Sequence, residues 1–76
     1  MMNILQLLTK KRIAILGFGS EGQSSLRFLL AHGMAKDVIV IHDGNSECPV
    51  PSGVDSVLGE HYLDGLDEYD AIIKTP

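Results

Sequence analysis

The 76-residue chain has little of several residue types, and each scarcity excludes a class of protein. It contains no tryptophan, two tyrosines, two phenylalanines and one cysteine, Cys48. A lone cysteine cannot form an intrachain disulfide, and Cys48 has neither a second cysteine nor a close histidine at metal-ligand spacing. A disulfide scaffold and a zinc module are therefore excluded, and a reducing, cytoplasmic location is expected.

Basic clusters and long hydrophobic runs are also scarce. Residues 10–12 are the one group of neighbouring cations and the net charge is −4, so we expect no nucleic-acid partner. The apolar stretch in residues 1–8 is too short and interrupted for a membrane span and has no charged segment before a long apolar core. We therefore expect neither a targeting signal nor contact with a membrane.

What remains is the composition of a globular protein, with 45% hydrophobic and 21% charged residues. A chain of this length can form one small domain at most. It would be marginally stable on its own, because it buries only about 60% of the surface that its unfolded form exposes.

Two consecutive apolar runs, Arg12–Leu16 and Asp37–Asp43, predict strands that are covered on both faces of a parallel sheet. Between them, leucines recur at helical spacing and Gly33 can supply a left-handed terminating residue, which predicts a helix from about Ser20 to His32. The order strand, helix, strand predicts an α/β, Rossmann-like three-layer domain with a mostly parallel sheet.

The other segments are predicted less directly. The chain stops directly after an apolar strand with no helix to cover it, so we expect residues 1–76 to be one Rossmann-like domain within a longer multidomain protein. The remaining predictions are a short helix over residues 3–10, an exposed loop over Gly44–Gly53, a short strand Val54–Leu58, a helical turn or irregular link at Tyr62–Leu66, and a strand Ala71–Thr75.

A glycine-rich turn follows the first strand with the spacing Gly17-x-Gly19-x-x-Gly22. In a strand–turn–helix unit the first glycine permits a tight turn, the second lets phosphates approach the backbone, and the third lets the helix pack closely. The first turn of the helix attracts an anion through its free N–H groups and its dipole. Asp43 follows Gly22 by 21 residues, close to the spacing of an acid that binds a ribose hydroxyl. These features predict a nucleotide site; the alternative is that the glycines only make a tight connection and Asp43 only caps a loop.

Two residues beside the glycines have opposite character. Ser20 could cap the helix or donate to a phosphate oxygen. The Glu21 carboxylate would stabilise the first helical turn but repel a diphosphate.

No catalytic or metal-binding residue is assigned. The three histidines, His32, His42 and His61, lie on different elements and are expected to be surface or strand-end residues. The acidic residues between positions 60 and 70 are expected to form a solvated face. Cys48 has no basic neighbour that would activate its thiol.

Three stretches resemble one known family: "KRIAILGFGSEGQSSLRFLLAHG", "VIVIHDGN" and "LDEYDAIIKTP". From Lys11 onward the chain looks like the start of the UDP-N-acetylmuramoyl-L-alanine:D-glutamate ligases, a branch of the Mur ligase family of peptidoglycan synthesis. The ending is the most specific part, because many members carry a strand of the form Asp-x-Ile/Val-x-x-Ser-Pro-Gly-Ile. Here Asp70 begins that pattern, Thr75 replaces its serine and keeps the hydroxyl, and Pro76 follows.

The resemblance implies a site for the UDP part of UDP-N-acetylmuramoyl-L-alanine. Some members carry an arginine where this chain has Asn45, so a contact made by that arginine is not expected here. The implied UDP-binding residues are Gly17 and Gly19, Ser20, Glu21 and Gly22 at the uridine and diphosphate, Asp43, Gly44 and Asn45 at the uracil, and Thr75 beside them.

The resemblance also implies a parent enzyme, an ATP-dependent amide-forming ligase. Its central ATPase and C-terminal domains would bring ATP, magnesium and D-glutamate, and an acyl phosphate of the alanine carboxylate would be attacked by the D-glutamate amine. This chain has no Gly-rich loop ending in Gly-Lys-Ser/Thr. We therefore expect it to bind substrate without a cofactor of its own and to be inactive alone. Two alternatives remain open: an NAD-binding domain of a dehydrogenase or regulatory protein, and a nucleotide-free interaction module.

Overall fold

A computed structural model describes residues 12–75. The predicted helix over residues 3–10, most of the basic cluster and Pro76 lie outside the described residues. The elements within them are β1 (Ile13–Leu16), α1 (Ser20–Ala31), β2 (Ile39–Asp43), β3 (Asp55–Leu58) and β4 (Ala71–Lys74), with two 3-10 turns at Lys36–Val38 and Leu66–Glu68.

All four strands belong to one sheet in the order β3-β2-β1-β4, and every neighbouring pair is parallel. Along the chain, β2 and β3 are added on one side of β1, whereas β4 is added on the other. This reversal is the topological switch point of a doubly wound sheet, where ligands bind outside the carboxyl ends of the strands. The predicted Rossmann-like α/β fold is confirmed, with an all-parallel sheet.

Helix α1 covers one face of the sheet. Alternation along β1 places Ile13 and Ile15 on that face, and the register pairs them with Ile39 and Ile41 of β2. All four side chains are fully buried, and burial of each contributes about 1.5–3 kcal/mol. The helix adds Leu26 and Leu29 to this core, together with Phe18, Met34, Cys48 and Val54 from the connections.

The opposite face of β2 carries a buried histidine. His42 is 0% exposed, its Nδ1 lies 2.7 Å from the carbonyl oxygen of Tyr62, and its Nε2 lies 2.7 Å from the Tyr69 hydroxyl. A carbonyl only accepts, so Nδ1 carries the proton and Nε2 accepts from the tyrosine. The segment 59–70 is thereby fixed over the face that α1 does not cover. His42 is a strand-end residue as expected, but not a surface residue.

Helix α1 ends one residue before the predicted His32, and Gly33 terminates it as the sequence predicts. The helix closes at Ala31 with His32 as its cap, and Gly33 adopts φ +92°. The N–H of Gly33 donates to Leu30 and that of Met34 donates to Leu29, the two bonds of a Schellman motif. The buried Met34 side chain supplies the apolar contact that accompanies such an ending.

The strands are shorter than predicted because a strand needs a partner. Sheet pairing begins where Ile13 meets Ile39. Arg12 precedes it, and Asp37 and Val38 form a 3-10 turn instead of the start of β2. The strand at 54–58 begins one residue late and the strand at 71–75 ends one residue early.

The segments that connect the strands agree with the prediction except at the Cys48 side chain. Residues 44–53 contain no helix or strand, as expected, and residues 59–65 form turns before the 3-10 turn Leu66–Glu68. The loop after β2 is not exposed throughout, because Cys48 is only 9% exposed and belongs to the core. Its side chain is apolar enough to fill space that the two flanking turns enclose.

Candidate functional site

The glycine turn lies at the carboxyl edge of the sheet, and its three glycines do different things. Gly17 adopts φ +93°, which a residue with a Cβ rarely does, and a Cβ there would lie 2.6 Å from the Thr75 hydroxyl oxygen. Gly22 is buried in α1, where a Cβ would collide with the carbonyl oxygen of Gly17. A Cβ at Gly19 would meet nothing within 4 Å. Gly17 and Gly22 therefore make the turn compact, and Gly19 leaves its backbone open to a ligand.

Asp43 connects the glycine turn to the loop after β2. Its Oδ2 accepts a hydrogen bond of 2.7 Å from the N–H of Phe18, and its Oδ1 accepts one of 2.8 Å from the N–H of Asn45. The sequence predicts that Asp43 lies near the glycine turn, and in the structure its carboxylate bonds to that turn. An ionised carboxylate has about four lone-pair directions, so each oxygen keeps capacity for a ligand donor.

Thr75 fixes the other side of the turn, at the switch point between β1 and β4. Its hydroxyl lies 2.9 Å from the carbonyl oxygen of Leu16 and 3.0 Å from that of Gly17, and its N–H donates to Leu16. The Gly17 N–H in turn donates to the carbonyl of His42 over 2.7 Å. The turn is therefore bound to β2 on one side and to the end of β4 on the other.

The first turn of α1 opens beside Gly19. The helix cap is Gly19 itself, with no side-chain hydrogen bond, so the prediction that Ser20 could cap the helix is wrong: Ser20 is already the first helical residue. Regular helical bonding starts with the Gln23 N–H, which donates to Gly19, so the three preceding N–H groups have no intrahelical acceptor. Ser20 and Glu21 are exposed and line an open depression with Ser24. An anion at these N–H groups would lie near the exposed Glu21 side chain.

The loop after Asp43 is supported by a hydrogen bond within it and by the Tyr62 ring. Gly44 and Asn45 are both exposed, and the Asn45 Oδ1 accepts a 3.0 Å bond from the Glu47 N–H. The Tyr62 ring lies close enough to Gly44 that a Cβ there would be 3.3 Å from it. The sequence gives no sign of this support, because Tyr62 lies 18 positions further along the chain and approaches Gly44 only in the folded domain.

The Cys48 thiol lies in the loop that follows Asp43. Burial raises the pKa of the Cys48 thiol, and the Asp43 carboxylate raises it further. The raised pKa keeps the thiol protonated to a higher pH and lowers its reactivity as a nucleophile.

The other titratable candidates do not come together. Within residues 12–75 no three histidine, cysteine, aspartate or glutamate side chains are arranged to hold a metal ion. His32 contacts its own helix and His61 pairs with Asp64 at 3.4 Å on the surface. The acidic residues from Glu60 to Asp70 are exposed, as predicted. In the described part of the chain, no helix has the length and apolar character needed to cross a membrane.

The fold and this edge define a Rossmann-like domain whose strand–turn–helix unit leaves one glycine and a helix N-terminus accessible. The chain is similar to UDP-N-acetylmuramoylalanine--D-glutamate ligase from Clostridium botulinum, and the strains Hall, Okra and Kyoto show the same match. The identity is 39% over 74 aligned positions, which cover 87% of this chain and 16% of each relative. The chain therefore spans about one sixth of the length of the curated relatives it matches.

Two other comparisons found nothing. No protein-family profile matches the chain, and no solved structure matches it significantly.

Proposed function

We propose that this chain is the N-terminal part of a D-glutamate-adding ligase of peptidoglycan synthesis and that it binds the UDP portion of UDP-N-acetylmuramoyl-L-alanine. The observation that carries the proposal is the open backbone at Gly19, between the N-terminus of α1 and the Asp43 carboxylate. The similarity to the Clostridium botulinum ligase supports the choice of UDP over other nucleotides.

In this proposal the diphosphate is recognised by backbone dipoles and not by cations. The N–H groups of Ser20, Glu21 and Gly22 point along the start of a 12-residue helix and favour an anion. Glu21 is exposed and can turn its carboxylate into solvent, where screening weakens its repulsion.

The uracil is then placed at the loop that Asp43, Gly44 and Asn45 form. A uracil ring has an N–H donor that a carboxylate oxygen can accept, and Asp43 keeps acceptor capacity beyond its two internal bonds. Gly44 lies on the Tyr62 ring and presents its backbone to solvent. Thr75 supports the turn from the β4 side, which gives a physical reason for a hydroxyl at that position.

Titration of the full chain with UDP and, separately, with NAD tests the proposal. We expect saturable binding of UDP, followed by calorimetry or amide chemical shifts, with the largest shifts at Gly19 to Gly22. Saturable binding of NAD without a response to UDP would refute the proposal and favour the dehydrogenase-like alternative. A response to neither nucleotide would favour an interaction module.

Substitutions at Gly19 and at Asp43 test the two parts of the proposed site. Gly19→Val fills space that is empty in the free protein, so we expect it to fold and to lose UDP affinity, while Gly19→Ala has an intermediate effect. Asp43→Ala should weaken UDP binding by about 1–3 kcal/mol, the usual effect of leaving polar partners unpaired. Because the same substitution removes two internal hydrogen bonds, the fold of Asp43→Ala is checked by circular dichroism, and Gly19→Val is the variant that leaves both bonds in place.

The parent enzyme that we propose is cytoplasmic and forms an amide bond at the expense of ATP, with magnesium and D-glutamate bound by domains outside this chain. In this proposal residues 12–75 contribute to substrate binding, and no chemical step is assigned to them. A reaction assay on a longer coding sequence, with and without this domain, tests whether it supplies the UDP-substrate site.

A further inference from the structure

A second concave surface lies beside the glycine turn, between α1 and the loop after β2. We call it the proline groove. It is a cavity of about 370 Å³, within the size range of small-molecule sites. Its walls are mainly apolar, with Phe18 and Leu26 nearly buried beneath them. It is lined by Phe18, Gln23, Leu26, Arg27, Pro49, Val50 and Pro51.

The groove has stiff walls on both sides. Pro49 and Pro51 have a fixed φ, and the preceding residue, Cys48, is held by its N–H, which donates over 3.0 Å to the Asn45 carbonyl. The facing wall is one side of α1, where Gln23, Leu26 and Arg27 are neighbours at i, i+3 and i+4. Such a groove requires little ordering when a flat apolar group enters it.

One cation lines this groove, on a chain whose net charge is −4. The Arg27 Nη2 donates 3.1 Å to the Ser24 hydroxyl, and among residues 12–75 Arg27 forms no ion pair with a carboxylate. A guanidinium has five N–H donors, so most of them are available. An apolar groove with an available arginine is complementary to a ligand with a flat apolar body and one anionic group.

We propose that the proline groove binds a small aromatic carboxylate, with the ring between Val50 and Leu26 and the carboxylate on Arg27. This site is distinct from the one proposed for UDP and does not depend on it. Phe18 belongs to both surfaces, since its N–H donates to Asp43 while its ring lines the groove.

The probe is 2-naphthoate, titrated into the full chain and followed by amide chemical shifts, with 2-naphthalenemethanol as the uncharged comparison. We expect a dissociation constant of about 1 mM for the carboxylate, typical of a ligand of its size. The alcohol should bind about fivefold more weakly, because an exposed ion pair contributes little more than that. Shifts should be concentrated at Val50, Gln23 and Leu26.

The matched pair of variants is Arg27→Gln and Lys74→Gln, which remove the same charge, the first in the groove and the second outside its lining. Arg27→Gln should lower naphthoate affinity to that of the alcohol and leave the alcohol unchanged, while Lys74→Gln should change neither. Equal effects of the two variants would overturn the proposal, as would naphthoate shifts centred away from the groove.

Two further outcomes separate this proposal from other occupants. If UDP competes with naphthoate, the groove is part of the nucleotide site and the proposal of a distinct site fails. If nuclear Overhauser contacts in the free chain join residues 3–10 to Val50, the chain's own N-terminal segment occupies the groove and the proposal also fails. If the chain binds naphthoate but not UDP, the proposed function is refuted and the proposal for the proline groove still stands.

Discussion

Replacement of Gly22 by alanine distinguishes the effect of helix propensity on the free energy of unfolding from the effect of packing. Gly22 lies inside α1, where helix propensity alone predicts that Gly→Ala stabilises the protein by about 1 kcal/mol. The structure predicts the opposite, because the new Cβ would collide with the carbonyl oxygen of Gly17. That carbonyl cannot move freely, since it accepts from the Thr75 hydroxyl and its own residue donates to His42.

Overpacking costs about 1–3 kcal/mol, and a collision with a backbone oxygen lies at the upper end, so the net loss for Gly22→Ala should be about 2 kcal/mol after the propensity gain of about 1 kcal/mol. Gly19→Ala is the matched control: it lies in the same turn, has φ −75°, and its Cβ would meet nothing within 4 Å. Urea denaturation followed by circular dichroism measures both. We expect Gly19→Ala to lie within about 1 kcal/mol of the parent chain, since the loss of a favourable cap residue offsets the entropy gain. Stabilisation by Gly22→Ala, or equal destabilisation by both variants, would refute the reasoning.

Three other predictions test the supports of the site. Tyr69→Phe leaves the buried Nε2 of His42 without its donor, so the free energy of unfolding should fall by about 1–3 kcal/mol in thermal or urea denaturation; an unchanged stability would contradict the buried hydrogen bond. Thr75→Val removes the hydroxyl and should cost about 1 kcal/mol, whereas Thr75→Ser should cost less, and equal losses would contradict the reasoning by showing that the methyl group matters as much as the hydroxyl. Burial, and then Asp43, raises the pKa of Cys48 above its ordinary 9.0, so iodoacetamide should alkylate the folded chain more slowly than the urea-unfolded chain near pH 9.0. The contribution of the neutral Cys48 thiol to the free energy of unfolding is fully present below the pKa of the unfolded chain. It is lost as the pH rises through the pKa of the folded chain. Equal alkylation rates of the folded and unfolded chains would contradict the raised pKa.

Much of the fold could be predicted because its signals are local. The leucine spacing and Gly33 specify where α1 lies, and the consecutive apolar residues specify β1 and most of β2. The prediction failed at strand ends, where pairing between distant segments decides the boundary: Val38 is as apolar as Ile39, but only Ile39 has a partner in β1.

The candidate site could be predicted only in part. The glycine spacing and Asp43 indicate one region, and the structure confirms that they meet. A role of any of these residues in binding UDP stays a prediction. The pattern could not show that Ser20 lies inside the helix while Gly19 caps it, because both are small residues with similar preference for that position.

The sequence by itself determined the succession of strand, glycine turn, helix and strand, because each depends on the spacing of apolar residues and on backbone freedom within a few positions. Only the tertiary structure decided that His42 is buried and that Thr75 supports the turn from β4. The partners of these residues lie 20 to 59 positions away, and their hydrogen bonds form only when parallel strands and the turns between them are assembled. The same assembly confines Gly17, whose neighbour Thr75 lies 58 positions away, whereas Gly22 is confined by Gly17 and Phe18 within its own turn and Gly19 is left open.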